Sequence, residues 1–191
     1  MVTEKIMRGG VSLRQIELED CNPSYVNWLN DPDVNQYMET KWSEQTIESI
    51  TQFVEKQRDS IDSVLFAIIN NETGCHIGNI KIGPVHPHYR HADLSYFIGD
   101  KTCWNKGLAT EAVRLVCRFG FEELGLHRIE AGVYELAVGS WKVLEKNHFK
   151  REGMFREQVY FQGSYINVYR YGLLRNEESD QQQTFNQKEK E

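Results

Sequence analysis

The stretch Trp104-Asn105-Lys106-Gly107-Leu108-Ala109-Thr110-Glu111-Ala112 puts a glycine and small residues where a loop meets an amphipathic helix. A helix N-terminus leaves its first backbone N–H groups unpaired and carries about half a positive charge, which together make an anion site. Gly107 admits a close backbone approach, Ala109 obstructs little, Thr110 adds a hydroxyl and Lys106 a cation, a combination suited to phosphate or pyrophosphate. Two commoner phosphate loops are excluded: G-x-x-x-x-G-K-[ST] needs its lysine after the second glycine, and no G-x-G-x-x-G occurs. Taken alone, a plain helix start with Gly107 serving a turn fits these residues equally well.

Acid–base chemistry has two candidate sources. Asp93 alternates with Ser95 and Phe97 in ADLSYFIG, so the three share one face of a strand. His86, His88 and His91 in PVHPHYRHAD are spaced two and three residues apart among two prolines, match no compact zinc motif, and read as a surface loop with no metal. Of the three, His91 lies on the strand face of Asp93 and is the alternative base, with a suitable ordinary pKa.

The elements that must position these residues follow from periodicity. VSLRQIE alternates as a strand does; Asn22-Pro23 and Asp31-Pro32 are helix starts, and Ile47, Ile50, Phe53 and Val54 line one face of a helix that stops before Asp59. SVLFAIIN and HIGNIKIG flank the turn NNETG as a hairpin, and ADLSYFIG is a further strand. The helix of the opening stretch lines up Leu108, Ala112, Leu115 and Phe119 and ends near Gly125. HRIEAGVYE is a strand, Ser140 to Asn147 a short helix, and EQVYFQ and YINVYRYGLL close a hairpin around Gly163-Ser164. The order describes an α/β (α+β) domain, with a mixed, mostly antiparallel sheet of roughly seven strands and three or four helices.

The 191 residues, 40% hydrophobic and without a break in composition, predict one domain over residues 1–175, and the polar stretch 176–191 predicts a disordered tail. The net charge of −6, with Lys and Arg scattered, argues against long nucleic acid as a partner. Cys21, Cys75, Cys103 and Cys117 form no C-x-x-C pair, no apolar leader precedes the first strand, and no apolar run reaches the ~20 residues of a membrane span. The expectation is a cytoplasmic protein with no membrane association, and the closing hairpin offers a surface for a homodimer.

In this context the opening stretch resembles the pyrophosphate loop Q/R-x-x-G-x-G/A of the GNAT superfamily of acetyl-CoA-dependent N-acetyltransferases. It maps onto Trp104-Asn105-Lys106-Gly107-Leu108-Ala109, with Trp104 in place of Gln or Arg. Its form is similar to the W-G-K-G-x-A-T-E-A of the ribosomal-protein-alanine acetyltransferase branch, with Asn105 replacing a glycine, and the likeness extends to WLNDPDV at Trp28 to Val34. A second family motif, N-x-x-S/A-x-x-L-Y-E-K-x-G-F, maps onto Ala137 through Phe149. Here Ala137 replaces the asparagine, and Leu144 replaces the tyrosine that protonates the departing thiolate in many members.

The resemblance implies acetyl-CoA as the donor and direct transfer to a small-molecule or peptide amine. No cysteine lies in the matched motifs, which disfavours an acetyl-enzyme. It implies main-chain contacts to pyrophosphate from residues 104–110, and pairing of the pantetheine arm with the backbone of Phe97 and Ile98. Ser140 inherits a hydrogen bond to the thiolate, or else caps its helix. A catalytic glutamate of the histone-acetylating branch lies fourteen positions before the loop glycine, a place held here by Asp93. The glutamate base of the ribosomal-protein branch falls on Val159 and does not transfer; Glu130 and Glu135 read as ordinary strand charges. Tyr37, Glu39, Trp42 and His91 are the acceptor-binding candidates, the aromatic rings of Tyr37 and Trp42 for stacking on a sugar or base and Glu39, with Asp33, for holding a cationic amine. The acceptor implied is an amino sugar or nucleotide-linked amino sugar, or a protein N-terminal amine. The alternatives are a polyamine, an antibiotic, or a noncatalytic acyl-CoA-binding module.

Overall fold

The computed structural model describes residues 6–177. The described residues pack as two compact units, one made of residues 6–84 with Leu94–Val116, the other of Val85–Asp93 with residues 117–177.

In the first unit β1 (Ile6–Arg8), β2 (Val11–Gln15), β3 (Val64–Asn70) and β4 (His76–His86, as far as Pro84) lie side by side in that order; β2 pairs antiparallel with β1 and β3, and β3 with β4. β3 is buried on both sides, which is why VLFAII reads as an unbroken apolar run. Leu65, Ala67 and Ile69 on one side meet Tyr25 and Leu29 of α1 (Pro23–Asn30) and Ile50 and Val54 of α3 (Ile47–Arg58). Between these helices lies the four-residue α2 (Pro32–Asn35), started by Asp31, whose carboxylate accepts from the N–H of Asp33. Of the apolar residues expected on one face of α3, Ile50 and Val54 are buried but Ile47 and Phe53 are exposed, so the buried stripe is narrower than the spacing suggests.

In the second unit the strand order is β5 (His91–Ile98, through Asp93), β6 (Arg128–Tyr134), β8 (Ser164–Leu174), β7 (Lys150–Phe161). The β5–β6 register is parallel over His91↔Arg128, Ala92↔Ile129 and Asp93↔Glu130, while β6–β8 and β8–β7 are antiparallel. α4 (Leu108–Glu122) ends ahead of Gly125, whose φ of +65° makes the expected reversal. α5 (Val138–Lys146) lies between β6 and β7, and its Glu145 accepts from the buried Tyr171 hydroxyl. Burial and that bond push the Tyr171 hydroxyl up to about 12.

The expected mixed, mostly antiparallel architecture is present, with a short β1 added ahead of the first expected strand. The closing turn falls on Gln162-Gly163, one residue earlier than expected, both at positive φ. The tail expected at 176–191 lies, from residue 178 on, outside the described residues. Glu177, placed in that tail, is engaged: its carboxylate accepts from the Leu174 N–H and pairs with Lys150. Among the described residues no helix is long and apolar enough to cross a membrane.

Candidate active site

Within the first unit, Asp100 starts the loop that leads to α4. Its carboxylate accepts from the Thr102 N–H at 2.9 Å and the Thr102 hydroxyl at 2.7 Å, and these bonds hold the Asp100 carboxyl below its usual range. The Gly99 and Asp100 N–H groups both donate to the Ile77 carbonyl, fixing the end of β5 against β4. Trp104 then reaches back, its indole N–H donating to the Ile98 carbonyl at 2.9 Å. The tryptophan standing where the family pattern has Gln or Arg is thus a tether between loop and strand.

Asn105 has φ +60° and Gly107 φ +79°, the left-handed region in which glycine and asparagine are most at ease. The first intrahelical bond of α4 runs from Glu111 N–H to Gly107 C=O, so the N–H groups of Leu108 and Ala109 precede it and belong to the helix end. Nothing lies within 4 Å of where a Gly107 Cβ would stand, and Asn105, Lys106 and Gly107 are exposed. A helix end beside an open glycine and an exposed lysine is an arrangement suited to an anion.

Two glycines that sequence reasoning did not single out shape the same region. A Cβ on Gly78 of β4 would lie 2.2 Å from the Phe97 carbonyl oxygen and 2.8 Å from the Ile98 Cα. Only a residue without a side chain lets β4 come this close to Phe97 and Ile98. Gly99 is covered by the Trp28 indole in the same way. Beside Gly78, His76 Nε2 lies 2.9 Å from the Gly78 carbonyl and 2.8 Å from Asn79 Oδ1, both acceptors, so this nitrogen carries the proton. Burial pushes the His76 imidazole below its usual range, so at neutral pH its approach to Asp20 at 3.7 Å is not an ion pair.

In the second unit, Asp93 stands opposite Glu130 in the β5–β6 register, and one Arg170 nitrogen lies 3.4 Å from each carboxylate. His91 Nδ1 is 3.7 Å from Glu130, its ring stacked on His86 at 5.3 Å between centroids. Arg128 completes the row, bonding Glu130 and Glu152, and those bonds hold the Glu152 carboxyl below its usual range. The glycine spacing on β6 and β8 makes room for the arginines: a Cβ on Gly132 would meet Arg170 and one on Gly172 would meet Arg128. Asp93 is exposed, so a proton can reach it from solvent. Glu135 is a different case, both oxygens accepting from Asn167 N–H groups at 2.8 and 2.9 Å, which makes it a brace at the end of β6.

Ser140 is the third residue of α5, and Ala137 holds the N-cap position without a side-chain bond. The capping alternative for Ser140 is therefore set aside. Among the acceptor candidates, Trp42 is 65% exposed and its indole N–H donates to Glu39 at 3.2 Å, with the Lys41 ammonium 4.9 Å from its ring centroid. Tyr37 is half-buried. Asp33 does not await an amine: with Asp31 it pairs with Lys101, at 3.1 and 2.6 Å.

Comparison with known proteins identifies the family. Residues 11–150 match the acetyltransferase (GNAT) domain family, and the chain belongs to the GNAT acetyltransferases, a family of acyltransferases. It is 33% identical over 179 residues to the uncharacterized N-acetyltransferase p20 of Bacillus licheniformis, a match spanning 87% of this chain and 94% of that protein. The fold is shared with spermidine N-acetyltransferase from Vibrio cholerae in complex with CoA and spermine (TM-score 0.80, 20% identity, 90% and 99% of the two chains). It is shared also with Mycobacterium smegmatis RimJ in complex with CoA-disulfide (TM-score 0.75, 22% identity, 87% and 83%).

Proposed function

We propose that the chain transfers the acetyl group of acetyl-CoA directly to a primary amine in a ternary complex. The observation that carries the donor half is the open approach to Gly107 at the start of the 15-residue α4. Acetyl-CoA supplies an acyl group activated as a thioester. The backbone of Asn105 through Ala109 binds its pyrophosphate, Lys106 and Thr110 add a cation and a hydroxyl, and Trp104 holds the loop in register. The pantetheine arm runs along Phe97 and Ile98, and a backbone N–H there is the donor that polarises the thioester carbonyl.

A protonated amine is no nucleophile, so the site must accept its proton. We assign this to Asp93, through water because aspartate is short, with His91 as the alternative base, and the hydrogen bond to the departing sulfur to Ser140. The acceptor we infer is a small amine, an amino sugar or nucleotide-linked amino sugar, lying against the exposed Trp42 ring with Glu39 and Tyr37 beside it. The test is release of CoA thiol from acetyl-CoA over a panel of amino sugars, nucleotide-linked amino sugars, polyamines, aminoglycosides and N-terminal peptides. Turnover with one class is expected, and Asp93→Asn should lower kcat about 100-fold. CoA binding without turnover of any amine, and no effect of Asp93→Asn, would instead make the chain an acyl-CoA-binding module.

A further inference from the structure

Glu111 ends the motif of the phosphate loop, yet its carboxylate does not face the open end of α4. It accepts from the Gly10 N–H at 2.6 Å, and a Cβ on Gly9 would lie 2.5 to 2.8 Å from all three carboxylate atoms. The β1–β2 turn therefore sits flat on the first turn of α4: Gly9 has φ +57°, which favours glycine, and a Cβ on Gly10 would lie 2.9 Å from the Leu108 side chain. The turn is itself held. Asn71 donates from its backbone N–H to the Gly10 carbonyl at 2.9 Å and from its side chain to the Gly9 carbonyl at 2.9 Å. The preceding residue, the buried Asn70, extends its side-chain amide to the Cys103 thiol at 3.8 Å and accepts from the Glu72 N–H through its carbonyl. Successive residues of the β3–β4 turn thus brace the phosphate loop on both sides, at Cys103 before it and, through Gly9-Gly10, at Glu111 after it.

We infer that Glu111 is a positioning residue for acetyl-CoA, acting through Gly10 and Asn71 to set the angle of the α4 N-terminus and to turn its own negative charge away from the pyrophosphate. The inference rests on the reading of residues 104–110 as the pyrophosphate cradle. A carboxylate in the first helical turn is favoured by the helix dipole, but left loose it would compete with an anion for the same N–H groups. Pinned to Gly10, it keeps the first effect without the second. Sequence reasoning passed over Glu111 because a glutamate in a first turn is ordinary and its partner lies 101 positions away.

The experiment is titration calorimetry of the full chain with CoA, alongside thermal melts without it. Glu111→Ala should weaken CoA binding about tenfold, because the α4 N-terminus loses its anchor at Gly10. Glu111→Gln keeps an acceptor for the Gly10 N–H and should bind within about twofold of the unaltered chain, a rescue by hydrogen-bonding capacity and not by charge. An unaltered chain that fails to bind CoA would overturn the cradle reading and this inference together. An unaltered chain that binds, with a folded Glu111→Ala binding equally well, would overturn the role of Glu111 alone. If Glu111→Ala melts too early to titrate, Glu111→Gln decides: CoA binding weakened about tenfold or more contradicts positioning through the Gly10 hydrogen bond, and binding within about twofold agrees with it.

Discussion

At Asn105 and His148 the chain carries side chains where φ is positive, +60° and +63°. Asparagine tolerates the left-handed region because its short polar side chain bonds locally, so Asn105 replaces the glycine of the related loops at little cost. His148 follows the C-terminus of α5, where the family pattern E-K-x-G-F has glycine. Replacing it by glycine should stabilise the protein by about 1 kcal/mol. That corresponds to a rise in Tm of about 2–4 °C for a chain of this size. A lower Tm for His148→Gly would mean that the histidine side chain contributes more than its backbone costs. The residue types of the loop were legible because small residues, a lysine and a helix start have a shared chemical meaning. The role of Trp104 was not, because its indole N–H finds a carbonyl on a preceding strand, and no local pattern encodes that bond.

Among the elements, β4 depends on Gly78. Its neighbours there are the Phe97 carbonyl and the Ile98 Cα, backbone atoms that cannot rotate aside. Gly78→Ala should therefore destabilise by about 2–3 kcal/mol, as overpacking does, read as a lowered Tm. On the proposed function it should also weaken CoA binding more than His148→Gly does, since it displaces the backbone assigned to the pantetheine arm. A Gly78→Ala chain with unchanged Tm would show that β4 has slack at this point. Strands with one or two buried faces were readable from their apolar spacing, as β3, β6 and β8 illustrate. β7 was only half readable. Its first nine residues are exposed, with register shifts between Arg151/Gly153 and Phe155/Val159, so KREGMFREQ shows no alternation to detect. β1 has three residues, too few to carry a period.

For the molecule as a whole, two buried groups of the first unit set a dependence of stability on pH. The Arg14 guanidinium holds the Asp20 carboxyl below its usual range, against the opposing effect of burial, and burial lowers the His76 imidazole. Both bind a proton more weakly in the folded chain than in the unfolded one, so the unfolded chain takes up more protons as pH falls and stability is lost on acidification. The His76 share is complete above about pH 6.5 and is lost as pH drops through its folded value; the Asp20 share goes only at more acid pH, below about 3.9. Tm should fall as pH drops below about 6.5, and His76→Gln should flatten that fall. An equally steep fall in His76→Gln would place its origin elsewhere. Composition and charge narrowed the function class from sequence alone, whereas this pairing needed residues from β2, the turn after it and β4, which only the fold assembles.

The central claim is that the N-terminus of α4 and the loop before it hold the pyrophosphate of acetyl-CoA. A crystal structure of the protein with CoA tests it most directly. The account predicts pyrophosphate oxygens within about 3 Å of the backbone N–H groups of Gly107, Leu108 and Ala109. CoA bound with its pyrophosphate elsewhere, and residues 104–110 facing solvent, would contradict it.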